Sequence, residues 1–262
     1  GVWYGEVGTQ LNKAPASKAE IFDQLNLKSN VRTVGIFPHI FWDATFCWGK
    51  DLFENYEEWF LETVKAACKN SKVNWIIKIH PANIVKNHRD GVTSEHSEIQ
   101  ALKQRVGPLP SHVKLITADS DISSLSLVKA IDACVTVRGT IGIEAACFGK
   151  IVLTAGTGRY DGKGFTTDSE NKADFLDKLQ NIHLLPFPTT AQTELAIKYA
   201  WGLLICRPAT LKILTMEYLK NKTADLSIKF HSNEFDSLDR APDINAIASW
   251  IRSGQEDYLE FK

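Results

Sequence analysis

Short apolar runs typical of β-strands alternate with helical patterns between residues 31 and 156. The strand pattern appears in "VRTVGIFPHI", "VNWIIKIHP", "VKLIT", "ACVTV" and "IVLTAG". Helical segments separate these runs, among them "NYEEWFLETVKAACKN", whose apolar residues recur with the spacing of one helix face. Strands that alternate with helices favour a parallel sheet with right-handed crossovers. We therefore predict an α/β fold, a Rossmann-like parallel sheet with flanking helices.

The chain divides into three predicted regions. Residues 1–30 are polar and weakly periodic, and we interpret them as a lead-in or linker with one short helix from about 17 to 27. Residues 31–186 form the predicted Rossmann-like domain. Residues 187–262 are predicted to be helical, with a break at Arg207-Pro208 and a solvated tail beyond Asn221.

Composition excludes several classes of function. The 262 residues are 44% apolar and 23% charged, and the formal net charge is −1, so no general attraction to nucleic acid or anionic membranes is expected. The five cysteines form no CxxC motif, which favours a reducing, cytoplasmic compartment. No apolar run approaches the length of roughly 18 residues that a membrane span needs, so no transmembrane segment is predicted.

Unusual polar chemistry follows four of the predicted strands, in "FPHIFWDAT", "KIHP", "RGTIGIE" and "GTGRYDGKGF". In parallel α/β sheets, ligands bind beyond the carboxyl ends of the strands. Each segment alone has a plain alternative: a His-Pro turn, an aspartate that caps a turn, or a glycine loop without GxGxxG spacing. Four such segments on one predicted edge indicate a ligand site.

The stretch "TVRGTIGIEAACFGK" reads as a strand that stops at Gly139 and becomes a helix. A helix N-terminus offers unpaired N–H groups and a positive dipole end, which suit a phosphate, and a glycine there allows close approach. The hydroxyl of Thr140 can add a donor, and Glu144, on the same helix face, can accept hydrogen bonds from two ribose hydroxyls. Lys78 and His80 end a neighbouring strand and can supply positive charge to the phosphate. The alternative is local: Thr140 caps the helix and no ligand binds.

Two other motifs have structural interpretations. The "DSD" at residues 119–121 precedes a predicted helix, and we interpret Ser120 or Asp121 as its N-cap rather than as a metal ligand. The seven histidines show no HxH or HExxH spacing, so no metal site is predicted. The loop "GTGRYDGKGF" is predicted to be a mobile flap over the bound nucleotide sugar, with Tyr160 as its one large anchor and a residue of the binding site; a plain surface turn is the alternative.

The order of these motifs resembles the bacterial capsular-polysaccharide synthesis family, which includes the transferases of 3-deoxy-manno-octulosonic acid (Kdo). The resemblance covers roughly residues 31–182 and uses all four segments that follow strands. It implies a GT-B glycosyltransferase whose Rossmann-like half, here residues 31–186, binds the nucleotide sugar. It also implies a CMP-linked, Kdo-like donor. Only one Rossmann-like half is evident in this chain.

The resemblance also assigns roles to individual residues. It implies a catalytic aspartate at Asp43 and nucleotide contacts at His80 and Thr140. Arg138 and Gly142 belong to the same "RGTIG" motif, and we include them in the predicted site.

The leading hypothesis is a glycosyltransferase of capsule or surface polysaccharide synthesis. Its partners would be a nucleotide-sugar donor and a glycan or glycolipid acceptor; the donor is a substrate, so no cofactor is predicted. Any association with membrane-bound synthesis machinery would be peripheral. One alternative is a sugar-nucleotide 2-epimerase, which needs a second nucleotide-binding half and further carboxylates. The other is a non-catalytic nucleotide-sugar-binding domain, which would not need a carboxylate such as Asp43 near the anomeric carbon.

Overall fold

The computed structural model describes residues 13–41, 49–81, 84, 96–218, 226–231 and 241–259. The chain separates into two compact units, with the division between Ala196 and Ile197. The strands of the first unit are β1 (Thr33–Ile36), β2 (Asn74–Lys78), β3 (Val113–Ile116), β4 (Ala133–Thr136) and β5 (Ile151–Thr154). Its helices are α1 (Lys18–Gln24), α2 (Tyr56–Lys69), α3 (Ser97–Arg105), α4 (Ser124–Ala130), α5 (Thr140–Cys147) and α6 (Lys172–Gln180). Helix α7 (Thr190–Trp201) begins in this unit.

The five strands form one sheet in the order β3-β2-β1-β4-β5, and every adjacent pair is parallel. β2 and β3 therefore lie on one side of β1, and β4 and β5 lie on the other. The strand order reverses between β1 and β4, and such a topological switch point leaves a crevice at the carboxyl ends of the strands. The predicted α/β parallel sheet with flanking helices is confirmed.

Helices pack in two groups against this sheet. α2 contacts α3 and α6, whereas α4 contacts α1 and α5. Every residue of β1, β2, β4 and β5 is buried, while β3 has two partly exposed residues. Strands buried on both faces have near-continuous apolar sequences, which explains why "TVGI" and "NWIIK" do not alternate cleanly between apolar and polar residues.

The segment predicted to be a lead-in contributes α1 to the first unit. Ser17 caps this helix and forms a capping box with Glu20, and Ile21 is fully buried. The backbone N–H of Ala16 donates to Ser126 Oγ on α4 at 3.1 Å. α1 therefore packs on α4 of the first unit.

The second unit differs from the helical prediction for residues 187–262. It contains a π-helix (Gly202–Cys206), α8 (Pro242–Ser253) and two strands, β6 (Leu214–Tyr218) and β7 (Leu226–Phe230). β6 and β7 pair antiparallel, with Leu214 opposite Phe230. The prediction of an all-helical C-terminal region was wrong there, because short apolar runs fit a helix face and a strand about equally well.

Candidate functional site

A cavity of about 250 Å³ lies at the carboxyl ends of β1, β2 and β4. Five residues of the predicted site line it together: Lys78, His80, Gly139, Thr140 and Glu144. Apolar side chains such as Phe37, Ile79 and Leu125 form much of the remaining wall. Lys78 and His80 precede Gly139, Thr140 and Glu144 by about sixty residues in the sequence. The parallel sheet brings both sets of residues to one edge.

The junction of β4 and α5 presents an open helix end. Gly139 is the N-cap residue and makes no side-chain cap, and Thr140 is the first helical residue. The alternative in which Thr140 caps the helix was therefore wrong. The first N–H groups of an α-helix have no partner within the helix, and here the residues at that end, 139–141, line the cavity. The helix end offers the cavity hydrogen-bond donors and the positive end of a dipole.

Tyr160 supports this helix end from the loop after β5. Its side chain is buried, and its hydroxyl donates to the Gly139 carbonyl oxygen at 2.8 Å. A Cβ on Gly142 would overlap that hydroxyl and would lie 2.8 Å from Tyr160 Cζ. Burial raises the pKa of Tyr160, so the phenol keeps its proton. The structure therefore places Tyr160 and Gly142 behind the helix end, and neither lines the cavity.

Lys78 reaches the cavity from the end of β2 although it is only 2% exposed. Its Nζ donates to the Thr117 carbonyl oxygen at 2.9 Å. Burial lowers the pKa of Lys78 to about 8; the nearby Lys13 lowers it further and Asp119 opposes the shift. The ammonium is thus mainly charged at neutral pH and poorly solvated, which favours contact with an anion.

The "DSD" segment does not cap the following helix. The N-cap of α4 is Ser123, whose Oγ accepts from the Ser126 N–H at 3.1 Å. Ser120 instead accepts from the Ile122 N–H within the preceding turn. The prediction of Ser120 or Asp121 as the cap was wrong, because the chain makes one more turn before the helix begins. Asp119, in the same segment, has a lowered pKa, mainly because its carboxylate shares a hydrogen bond with the Thr117 side chain.

Glu144 lies one turn into α5, on the wall of the cavity. Its residue surface is exposed, yet the surrounding protein desolvates the carboxyl group and raises its pKa. An added hydrogen-bond donor stabilises a poorly solvated carboxylate more than it stabilises a fully hydrated one. One ligand can therefore place an anion at the helix end and hydroxyl groups at Glu144.

Two predicted residues, Asp43 and Arg138, remain. Asp43 falls outside the described residues. Arg138 is only 3% exposed, does not line the cavity and forms an ion pair with Asp51. The backbone of Asp51 also forms an isolated antiparallel β-bridge with Gly156, and the Leu52 N–H donates to the Ala155 carbonyl oxygen at 3.4 Å. Arg138 thus joins the end of β4 to a segment that packs on the loop after β5.

Sequence reasoning missed His39 and Asp51. His39 lines the cavity three residues after the end of β1, so the same rule that selected Lys78 and His80 identifies it. Asp51 had no such signal, because its partner Arg138 is 87 residues away in the chain.

Neither a membrane span nor a metal-binding cluster appears within the described ranges. No helix there is long and apolar enough to cross a bilayer. The same residues contain no group of three or more His, Cys, Asp or Glu side chains placed to hold a metal ion.

Comparison with known proteins gives one family and several partial relatives. Protein FixF of Sinorhizobium fredii is 26% identical over 157 residues, which cover 53% of this chain and 33% of FixF. Among solved structures, Thermosulfurimonas dismutans KpsC, beta Kdo 2,4 transferase, is 22% identical with a TM-score of 0.41, over 64% of this chain and 44% of that one. A structure of S. aureus MnaA with UDP is 14% identical with a TM-score of 0.40, over 69% and 46% of the two chains. The chain spans about a third of FixF and less than half of each of these structures.

The family model described as "Capsule polysaccharide biosynthesis protein" matches residues 11–183. This range contains the whole five-stranded sheet and all the residues that line the cavity. Because the match extends over more than half of the sequence, the chain belongs to the capsule polysaccharide biosynthesis protein family.

Proposed function

We propose that this chain is the donor-binding half of a GT-B glycosyltransferase that acts in capsule or other surface polysaccharide synthesis. The observation that carries the proposal is the open N-terminus of α5, whose residues line the cavity with Glu144 one turn beyond. Membership of the capsule polysaccharide biosynthesis family supports the same reading.

Different cavity residues would contact different parts of the donor. The phosphate would bind at residues 139–141, which line the cavity and where backbone N–H groups and the helix dipole favour an anion. Lys78 and His80 would balance the charge that grows on the departing phosphate. Glu144 would accept hydrogen bonds from the ribose hydroxyls. These groups can neutralise one phosphate by themselves, so the proposal assigns the protein no metal.

Asp43 is the proposed catalytic residue, as predicted from the sequence. In an inverting reaction an acceptor hydroxyl would attack the anomeric carbon while the bond from that carbon to the phosphate oxygen breaks, and Asp43 would take the acceptor proton. In a retaining reaction the Asp43 carboxylate would attack the anomeric carbon and displace the phosphate. The acceptor hydroxyl would then displace Asp43 from the covalent glycosyl intermediate, its proton passing to the released phosphate. Either role needs an ionised carboxylate close to the sugar.

The proposed donor is a CMP-linked, Kdo-like sugar, and the proposed acceptor is a growing glycan or glycolipid. We place the reaction in the cytoplasm, where nucleotide sugars are available, with any contact to membrane-bound synthesis machinery being peripheral. The donor class depends on the family resemblance, because base recognition often uses backbone groups that no side chain indicates.

Nucleotide binding is tested by thermal unfolding with CMP, UDP and GDP. A ligand at about 100 times its dissociation constant stabilises the folded state by roughly 2.7 kcal/mol. We expect CMP to raise the melting temperature, Glu144→Ala to reduce the rise strongly and Glu144→Gln to reduce it less. Glu194→Ala, which changes an exposed glutamate outside the cavity, is the matched control. No stabilisation by any of the three nucleotides would refute the proposal.

Catalysis is tested separately from binding. We expect Asp43→Asn to abolish sugar transfer while the affinity for CMP stays within a few-fold of wild type. His80→Ala should lower both, because His80 would contact the phosphate in the ground state and in the transition state. An Asp43→Asn protein that transfers sugar at the wild-type rate would exclude Asp43 as the catalytic residue.

A further inference from the structure

His39 connects the end of β1 to the turn that precedes α5. It lies on the cavity wall, and its ring stacks on Tyr56 of α2 with 4.4 Å between ring centroids and 11° between the planes. On the other side, its Cε1 atom lies 3.7 Å from the position of a Cβ on Gly139. The ring is therefore held between α2 and the turn at the end of β4.

The ring also accepts a hydrogen bond from that turn. The Arg138 backbone N–H donates to His39 Nε2 at 3.2 Å. This bond continues a series that joins the two strand ends: the Phe37 N–H donates to the Val135 carbonyl oxygen at 3.0 Å, and Thr136 Oγ1 donates to the Phe37 carbonyl oxygen at 3.2 Å. An acceptor at Nε2 must be unprotonated, so the neutral ring carries its proton on Nδ1.

The surroundings of His39 keep the ring neutral. Among the described residues, the charged or titratable groups that act on it are His80 after β2, Arg138 after β4 and Arg159 in the loop after β5. Burial, followed by these three groups, lowers the pKa of His39 to about 3. The hydrogen bond from the Arg138 N–H is thus preserved over the whole physiological pH range.

Two carbonyl oxygens of the turn are held by side chains of the loop after β5. Arg159 Nη1 donates to the Arg138 carbonyl oxygen at 3.4 Å, and the Tyr160 hydroxyl donates to the Gly139 carbonyl oxygen at 2.8 Å. Both oxygens are therefore bound from the loop after β5, whereas the Arg138 N–H is bound by His39 from the β1 side. These contacts hold three consecutive peptides of the turn, Val137–Arg138 through its N–H and the next two through their carbonyl oxygens, and so restrict rotation of the turn.

We propose that His39 is a positioning residue of the donor site, which fixes the Arg138–Gly139 turn through its Nε2 acceptor and so orients the α5 N-terminus toward the phosphate. This inference rests on the proposed binding of a nucleotide phosphate at α5. His39 acts through the backbone and has no direct role in sugar transfer.

Two variants separate the acceptor from the ring. His39→Gln keeps an acceptor oxygen at about the position of Nε2, whereas His39→Phe keeps the aromatic stack on Tyr56 and removes the acceptor. We expect His39→Phe to exchange the Arg138 amide hydrogen at least about tenfold faster and to bind CMP about tenfold more weakly, since a buried donor loses its partner. We expect His39→Gln to stay within about threefold of wild type in both measurements. A purely structural role for the ring would give the opposite order of the two variants.

The outcomes distinguish this inference from the proposed function. If wild type binds CMP and His39→Phe binds it equally well, the inference is overturned and the proposed function stands. If wild type binds none of CMP, UDP and GDP, the proposed function fails and so does the role of His39 in phosphate binding, whatever the exchange rates show. Rapid exchange of the Arg138 amide in wild type would also overturn the inference, because the hydrogen bond would be absent.

Discussion

Replacing Gly142 by alanine tests whether α5 sits on Tyr160 as tightly as the structure shows. An added Cβ would overlap the Tyr160 hydroxyl and would lie 2.8 Å from Cζ and 3.2 Å from Cε2. Ordinary contacts between carbon atoms are about 3.5–4.0 Å, so the ring or the helix end must move by roughly 1 Å. Tyr160 is 1% exposed, and so its ring has little free space into which it can move.

The expected cost follows from opposing effects. Overpacking a buried site costs about 1–3 kcal/mol, and weakening the bond from Tyr160 to the Gly139 carbonyl adds about 0.5–1.5 kcal/mol. Alanine regains up to about 1 kcal/mol of helix propensity over glycine. We therefore expect Gly142→Ala to lower the free energy of unfolding by about 2 kcal/mol, which lowers the melting temperature by about 4–8 °C. CMP affinity should fall as well, since the displaced helix end is the proposed phosphate site.

Urea unfolding and CMP titration of four variants measure both effects. Gly202→Ala is the matched control, because a Cβ there meets no atom within 4 Å, and its stability should change by at most about 0.5 kcal/mol. Tyr160→Phe removes the overlapping oxygen, so the double variant with Gly142→Ala should be less destabilised than the sum of the two single variants by about 1 kcal/mol. If Gly142→Ala is as stable as wild type and couples to nothing at Tyr160, the tight contact is wrong.

Two further predictions concern pH. The Lys78 ammonium has a pKa near 8 and is charged below that pH, so CMP affinity should fall as the pH rises above about 8. Lys78→Met should lack this fall when both proteins are titrated with CMP by calorimetry. The same pH profile in both proteins would contradict the role of Lys78. The folded pKa of His39, about 3, lies below the 6.5 of an unfolded histidine, so its contribution to stability is complete above pH 6.5 and is lost as pH falls toward 3. For this one group the free energy of unfolding should fall by up to about 1.4 kcal/mol per pH unit in that window, and His39→Gln should reduce the slope accordingly. Equal slopes in the two proteins would show that folding does not shift the pKa of His39, which would contradict its burial in neutral form.

Several features of the site are predictable because they depend on local sequence and on one rule of topology. Apolar runs of four or five residues indicate the buried strands, and the carboxyl ends of parallel strands share one edge. That rule is sufficient to place Lys78 and His80 beside Gly139 and Glu144, as the cavity confirms. His39 obeys the same rule, since it follows β1 and lines the cavity, but it was not among the predicted residues.

The alternation of strands and helices, and with it the edge of the sheet where polar residues collect, follows from the amino-acid pattern alone. Three features become visible only in the folded chain: Tyr160 supports α5 from behind, Arg138 pairs with Asp51, and Gly139 rather than Thr140 is the cap. The strand pattern can be read along the chain because burial on both faces selects apolar residues at neighbouring positions. The contacts of Tyr160 and Arg138 cannot be read in this way, because each joins residues that only the packing of loops beyond the sheet brings together.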